Sequence, residues 1–522
     1  MSAAKTITLR LILGTALCCG AVGADDNRTS FPVRQYRIQG EMPLPEARVQ
    51  RILNPHTGEA RTLADVQAAA DALQTELHKQ GFVFHRVAVP EQSVADAGVV
   101  ALQVLAFAVN EIGVAGNKHF DEANIRHSLP SLESGIPPNA NRLATDILQA
   151  NSHPAKHLLV TLSEGAGADT LDAQVQVSDS RPTHVYANLN NRGDSETGHT
   201  RLSLGAQHSN LFNRDHTLAA SYTTSPEHPN DVHQYGLHYR MPLYEPRLSL
   251  SLYYSHSEVD SGTVAGFFDV RGRGTFAGLR CSRLLPKHNR YSHEIAVSLE
   301  DRHFDSDITF AGQPLGTDVR SRPLTVHYDG SWEAKRFAVD MSLAFSRNIP
   351  SGADNDDASY ANARAGADKQ WHATRYEMAM RAPLPDAWAF KARLSGQYAP
   401  DPLISGEQYG LGGTHSVRGF EEREVLGDAG EHVSLELWTP PVRDPAPGTL
   451  HFLTFLDAGT LRVENPQPNG AADETLSGAG VGLRWQWRSH LHCTLDAARV
   501  LNGTDQNDSG ESRLHFSVFC QF

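Results

Sequence analysis

The chain has 522 residues, with 46 Lys and Arg against 60 Asp and Glu, a net charge of −14. At 40% hydrophobic residues and a mean hydropathy of −0.39 it lacks the repeated apolar runs of about 18 or more residues that a helical membrane bundle needs. The acidic balance argues against a general nucleic-acid binder, which shows a basic face. Apolar residues spread along the whole length argue against disorder throughout.

In chain order, the first element reads as an address. Lys5 and Arg10 precede a short apolar stretch, Leu11 to Leu17, and small residues follow to Ala24. A charged region, an apolar region and a small-residue cleavage site together predict a secretory signal peptide over residues 1–24. The apolar run is too short for a membrane anchor. Cys18 and Cys19 lack the upstream Leu of a lipoprotein signal. Cleavage leaves Cys281, Cys493 and Cys520, too few for a disulfide scaffold and without a Cys-x-x-Cys pair for zinc.

Residues 31–180 mix helix and strand. Residues 33–39 alternate as a strand ending at Gly40. Residues 63–80 place Leu63, Val66, Ala70, Leu73 and Leu77 at helical spacing before Gly81. Strands follow at 82–89 and 98–107. The order recurs, with a strand at 109–115, helices at 121–129 and 140–150, and strands at 156–162 and 170–178. This predicts two small α+β domains, 31–107 and 108–180. Each has an open sheet whose unpaired edge can accept an extended peptide.

After Arg181-Pro182 the helical period disappears. Segments of about 10 residues alternate apolar and polar between turns, the signature of an outer-membrane strand. Leu514, Phe516, Val518, Cys520 and Phe522 share one face of the last segment. Leu248, Leu250, Leu252 and Tyr254 share one face of another, and Phe337, Val339, Met341, Leu343 and Phe345 one face of a third. Strands are predicted at 183–192, 200–210, 215–225, 232–243, 247–258, 269–284, 290–304, 319–332, 335–348, 358–382, 387–399, 431–440, 449–458, 475–488, 490–501 and 512–522. The count is even, and short connections alternate with generally longer ones, as in a closed single-chain barrel over 181–522. A soluble two-sheet β protein needs neither feature. Arg271-Gly272-Arg273-Gly274 falls in a predicted strand and reads as lumen charge. Cys493 and Cys520 fall on the lipid face of the last hairpin. Pairing about its centre sets them opposite each other, as a cross-strand disulfide or as two free apolar thiols.

A sixteen-strand barrel leaves a channel too wide for side chains to fill. The longest loop, 400–430, is the candidate to restrict it. Its richness in Gly and charge reads equally as a solvated outer loop.

That loop carries Val417-Arg418-Gly419-Phe420 after Gly412-Gly413. It resembles the VRG[YF] motif of the outer-membrane superfamily that joins POTRA domains to a sixteen-strand barrel. Phe455-Leu456-Asp457-Ala458-Gly459 resembles that superfamily's F-x-D-x-G. Residues 79–105 and 188–218 resemble the first POTRA ending and the first barrel hairpin of the two-partner secretion transporters, the haemolysin secretion/activation proteins. The likeness covers nearly all of the mature chain and rests on an ordered set of motifs. It implies a transmembrane β-barrel of 16 antiparallel strands preceded by two small α+β POTRA domains. It further implies a loop folded into the lumen, with Arg418 paired to Asp457 and Phe455 and Gly459 beside it. The terminal Phe522 fits the aromatic signal by which barrel-assembly machinery inserts such proteins into outer-membrane lipid. Departures are the Leu105-Ala106-Phe107 ending of the first POTRA, where Gly is common, and the short Asp25–Ser30 segment, where relatives often carry a plug helix and none is expected here.

The function so implied is a Gram-negative outer-membrane pore, its POTRA domains in the periplasm, exporting one large β-rich partner. The partner's N-terminal secretion domain arrives unfolded and is captured by strand addition, and its folding outside biases the direction. No ATP-binding G-x-x-x-x-G-K-[ST], no H-E-x-x-H and no G-x-S-x-G is present, so neither an enzyme nor a cofactor nor a metal is expected. No nucleic-acid partner is expected, and the chain is expected to act as a monomer. Two alternatives stand beside this one. A barrel-assembly insertase of the same superfamily usually has more POTRA domains, and a simple porin needs none.

Overall fold

The computed structural model describes residues 30–93, 98–195, 197–258, 262–264, 268–270, 273–305, 309–310, 313–314, 317–442, 448–466, 471–505 and 507–522. The predicted signal peptide, with Cys18 and Cys19, lies outside the described residues, as do Arg271 and Gly272. The chain divides into two units, one running to Ser180 and including Tyr244–Arg247, the other holding the rest.

In the first unit, Thr62 starts the helix Leu63–Lys79 through a reciprocal capping box. The Thr62 side chain accepts from the Asp65 N–H, and Asp65 accepts from the Thr62 N–H at 2.8 Å. Gly81, with φ +88°, lets the chain turn out of that helix. Val66, Ala70, Leu73 and Leu77 bury one helix face against Val100, Leu102 and Val104 of the sheet. Each Leu so buried contributes about 1.5–3 kcal/mol. The sheet runs Gln35–Gln39, Val99–Ala106, His85–Ala88, with its central strand parallel to the first and antiparallel to the last. A second sheet, Ala108–Ala115, Thr170–Asp179, Lys156–Glu164, repeats that order and sense. It packs on the helices Glu122–His127 and Ala140–Asn151.

Local detail departs from the sequence reading in several places, among them the unpredicted strand Gly58–Arg61, which pairs with Phe31–Val33. Residues 33–39 split into Phe31–Val33 and Gln35–Gln39. The helix Glu46–Leu53 has no sequence counterpart because Pro45 precedes it without a side-chain cap. The strand predicted at 82–89 shrinks to His85–Ala88. Phe82 packs on the first core and Phe84 is buried in the second, so this apolar run is a connector.

The second unit is a closed barrel of sixteen antiparallel strands from Thr183–Asn190 to Ser512–Gln521. Val319–Ser321 and Pro323–Glu333 form a single strand interrupted at Arg322. Strand alternation decides what faces out. Met341, Leu343 and Phe345 stand exposed, while Ser346 and Asn348 are buried toward the lumen. Exposed Trp332, Trp388 and Trp487 lie near the mouth where the first strand begins, called proximal here. Tyr235, Tyr254 and Tyr398 lie toward the distal mouth. An apolar outer band between aromatic girdles is the surface that a bilayer requires. No helix among the described residues is long and apolar enough to cross a membrane.

Closure joins the last strand to the first over Ser517↔Asn190 to Gln521↔Tyr186. Terminal Phe522 extends this seam, its N–H donating to Val185 O at 2.8 Å.

Three barrel expectations are corrected. The segment 358–382 is the helix Asp357–Ala363 followed by the strand His372–Pro383. Asp356 caps that helix, and Tyr360 and Trp371 are fully buried, so the first half of the segment packs as a loop. The strand predicted at 269–284 begins at Gly274, because Phe268–Val270 pairs with Gly262–Val264 in a separate hairpin. Arg273 therefore precedes the strand, and its Nε donates to Glu258 O at 2.6 Å. In the last hairpin Cys493 faces Val518 and Cys520 faces Leu491, and both thiols are free. The register is offset from a pairing about the centre, so the cysteines are diagonal rather than opposite.

Candidate functional site

The eleventh strand, Ala389–Tyr398, and the twelfth, Ala429–Trp438, are joined by a long segment that turns into the barrel. Tyr409–Leu411 and Val425–Gly427 pair as a short hairpin, and the tip between them carries Val417 to Phe420. Gly419 has φ +110°, a region that side chains other than glycine's rarely enter, so the tip can bend here. Val417 and Phe420 are fully buried with Leu411, Leu461, Leu476 and Val500. The loop tip thus packs its apolar side chains on an apolar patch of the inner wall.

Arg418 lies between those apolar side chains and is 3% exposed. It meets Asp457 of the thirteenth strand, Thr449–Arg462, through two parallel bonds: Nε to Oδ2 at 2.7 Å and Nη2 to Oδ1 at 2.9 Å. Asp457 has no exposed surface and also accepts the Arg418 backbone N–H at 3.2 Å. The guanidinium sits 3.5 Å from the centroid of the Phe455 ring. Phe455, Asp457 and Gly459 alternate along one strand and therefore share its inward face. A Cβ on Gly459 would come within 2.7 Å of Leu411 Cδ1, so this glycine makes room for the loop hairpin. The structure brings Val417, Arg418, Gly419, Phe420, Phe455, Asp457 and Gly459 into one cluster, while Phe522 lies apart at the barrel seam.

Sequence reasoning missed the rest of the shell. Arg418 Nη1 donates to Glu436 Oε1 at 2.9 Å, and Nη2 donates to Ser434 Oγ at 3.2 Å. Asp496 Oδ2 lies 3.8 Å from Nη1 and is itself paired with Arg484 at 2.7 and 2.9 Å. His515 Nε2 accepts the Gly419 N–H at 3.0 Å. Behind the tip, Arg192 Nε reaches Glu422 Oε1 at 3.1 Å, and Arg513 Nη2 reaches Glu421 Oε1 at 2.8 Å. Gly478 of the fourteenth strand, Asp473–Trp487, would place a Cβ 2.2 Å from Arg418 O, so only glycine lets the loop backbone come this close. The available signal was strand alternation, which sets Ser434 and Glu436 on one face. Nothing in it said which inward residues the loop would reach.

Two buried carboxylates hold the loop's distal end. Asp428 pairs both oxygens with Arg364, one bond at 2.8 Å, and accepts the Leu403 and Glu464 N–H groups at 2.8 and 2.7 Å. Glu407 meets Arg302 at 2.7 Å and Arg375 at 3.2 Å. On the proximal side of the tip a cavity of about 510 Å³ is lined by Lys391, Arg418, Glu436, Trp438, Arg484 and Asp496, among others. The segment is thus held inside the barrel by paired charges.

The family model described as haemolysin secretion/activation protein ShlB/FhaC/HecB matches residues 170–485, more than half of the chain. This chain belongs to that family. A POTRA domain model, ShlB-type, matches residues 31–106. The outer membrane transporter CdiB of Escherichia coli O6:K15:H31 is 23% identical, over 87% of this chain and 76% of its own length. The heme/hemopexin transporter protein HuxB of Haemophilus influenzae strain 86-028NP is 21% identical, over 78% of this chain and 72% of its own. Among solved structures, CdiB from Escherichia coli superposes with a TM-score of 0.73 at 19% identity, covering 97% of this chain and 93% of that one. CdiB from Acinetobacter baumannii gives 0.69 at 17%, covering 99% and 95%. BamA from Haemophilus ducreyi, lacking POTRA domains 1–3, gives 0.51 at 13%, covering 94% of this chain and 100% of that one, a likeness of fold alone. As a family member, this chain is an outer-membrane β-barrel transporter that works with a secreted partner protein by two-partner secretion. Members of the family are transporters rather than enzymes.

Proposed function

We propose that residues 1–24 are a signal peptide removed on export, that 31–107 and 108–180 are two periplasmic POTRA domains, and that 181–522 is the pore. The barrel sits as a monomer in outer-membrane lipid, with the proximal mouth toward the periplasm. Barrel-assembly machinery inserts it by reading Phe522. The cargo is one dedicated, large, β-rich protein of the adhesin or haemolysin type. Its unfolded N-terminal secretion domain adds strands to the POTRA sheet edges, where backbone hydrogen bonds bind with little sequence demand. No catalytic step is involved.

The observation that carries this reading is the loop tip. Val417 to Phe420 lie inside the barrel, and Arg418 is held by Asp457. A loop so placed obstructs the route and sets the state of the pore. Removing one member of a buried charge pair costs about 3–5 kcal/mol, because the other is left without a partner. Arg418→Ala is therefore expected to leave a barrel that inserts and shifts normally on heated gels, while partner export falls at least about tenfold. Comparing surface and secreted proteins of the host with and without the variant gives the answer. Normal export would overturn the role of the pair. Loss of many outer-membrane barrels instead would favour the assembly-insertase reading.

A further inference from the structure

Glu436 and Trp438 share the inward face of the twelfth strand, with Trp438 at its proximal end. Glu436 is held at both oxygens. Oε1 accepts from Arg418 Nη1 at 2.9 Å, and Oε2 accepts from Trp438 Nε1 at 2.7 Å. The indole in turn carries the Lys391 ammonium 3.2 Å from its ring centroid, with the Arg484 guanidinium at 5.8 Å. Both faces of this arrangement matter. Asp457 has no exposed surface, whereas the Glu436 side chain is 18% exposed. Glu436, Trp438, Lys391 and Arg484 all line the proximal cavity. Of the three carboxylates around Arg418, Asp457 is sealed in the wall, while Glu436, bonded at 2.9 Å, and the more distant Asp496 line the proximal cavity.

We infer that Glu436 is a second positioning residue for Arg418, and that Trp438 couples contacts made in the proximal cavity to it. The occupant is an extended polypeptide on its way through the pore. Its backbone N–H groups compete for the Glu436 carboxylate. Its apolar and acidic side chains fit the Trp438 indole between Lys391 and Arg484. Withdrawing Glu436 loosens Arg418 while the sealed Asp457 pair is still in place, so the loop is released in two stages. Loss of a hydrogen bond to a charged group is enough for at least a roughly tenfold change in a gating equilibrium. This inference rests on the reading of 400–430 as the transport loop.

The test uses the full-length chain in planar lipid bilayers, with pore-opening frequency recorded and heat-dependent gel mobility confirming a folded barrel. Asp457→Ala is the reference. Glu436→Ala and Trp438→Phe, which keeps the ring over Lys391 but removes its N–H, are each expected to raise opening frequency about tenfold. The double variant is expected to open no more often than Glu436→Ala, since both changes act on one chain of bonds. Wild-type opening by Glu436→Ala alongside frequent opening by Asp457→Ala overturns the inference and leaves the transport-loop reading standing. Wild-type opening by both overturns the two together. Additive effects in the double variant overturn the Trp438 coupling. Should Glu436→Ala fail to fold, Glu436→Gln carries the test: opening between wild type and Asp457→Ala supports the inference, and wild-type opening rejects it.

Discussion

In the first unit Leu73, Leu77 and Leu102 are wholly buried between helix and sheet, and of its described Asp, Glu, Lys and Arg side chains only Asp146 and Lys156 are buried. In the barrel the sides are exchanged. Leu343 and Phe345 stand outward, 49% and 47% exposed, while Arg418, Asp428 and Asp457 are buried within. The same hydrophobic effect operates in both, but the solvent differs. Water surrounds the first unit, so its apolar residues must find one another. Lipid tails surround the barrel wall, so apolar residues there are already satisfied and the polar ones must find partners inside. The energy that holds the loop in place therefore comes from paired charges plus one small apolar cluster around Val417 and Phe420, rather than from a continuous core. A seal made of charges can be opened by competition from other polar groups, which a packed apolar core cannot.

Truncation separates the two regimes most sharply. Leu73→Ala is expected to cost about 2–5 kcal/mol, because a cavity remains in a packed core. Leu343→Ala is expected to cost about 1–2 kcal/mol, the lost transfer from water to lipid with no cavity term, because lipid fills the space. Local hydrogen exchange around residues 66–77 and urea titration of the barrel in vesicles measure the two. Equal costs would break the comparison, and a loss of about 2–4 kcal/mol in Leu343→Arg would sharpen it.

The loop contact comes next in size. Gly478→Ala is expected to push the tip away from the wall at a cost of about 1–3 kcal/mol, since the new Cβ meets Arg418 backbone at 2.2 Å. Arg418 should then become a site of trypsin cleavage that the wild type resists. A protected Arg418 in the variant would show that the loop is held independently of this approach.

The smallest effect is expected in the first unit. Burial disfavours the charge on Asp179, but the backbone N–H groups of His119, Lys118 and Phe120 outweigh it and hold the carboxyl below its usual range. A depressed folded pKa contributes stability above the unfolded value of about 3.9, and that stability is lost as pH falls through the folded value. Asp179→Asn should remove this acid dependence. The measurement is amide exchange at residues 118–120, compared with wild type at matched pH. An unchanged acid dependence would assign it to other groups.

Much of the fold was legible because period and turn chemistry are local. A period of 3.6 marked Leu63–Lys79, and its Gly81 stop held, while a period of two marked the barrel strands, with 269–284 and 358–382 drawn too long. Legibility failed where local signals conflict with packing. Pro45 opened a helix without a cap, and 358–382 read as one strand although Asp356 caps the helix and Gly366, with φ +84°, turns the chain before the strand. The cysteine offset in the last hairpin follows from register, which the turn and the neighbouring strands set together.

By itself the sequence determined the barrel, the two small sheets before it, and the motifs with Arg418 and Asp457. Each rests on residues close in the chain or on ordered motifs. Tertiary structure alone decided which inward residues complete the site. Ser434, Glu436, Asp496, Gly478 and His515 come from four strands after the loop, and only barrel closure and the inward path of the loop bring them to Arg418 and Gly419. Alternation fixes which way a side chain points. It carries no information about what a loop folded into the lumen will touch.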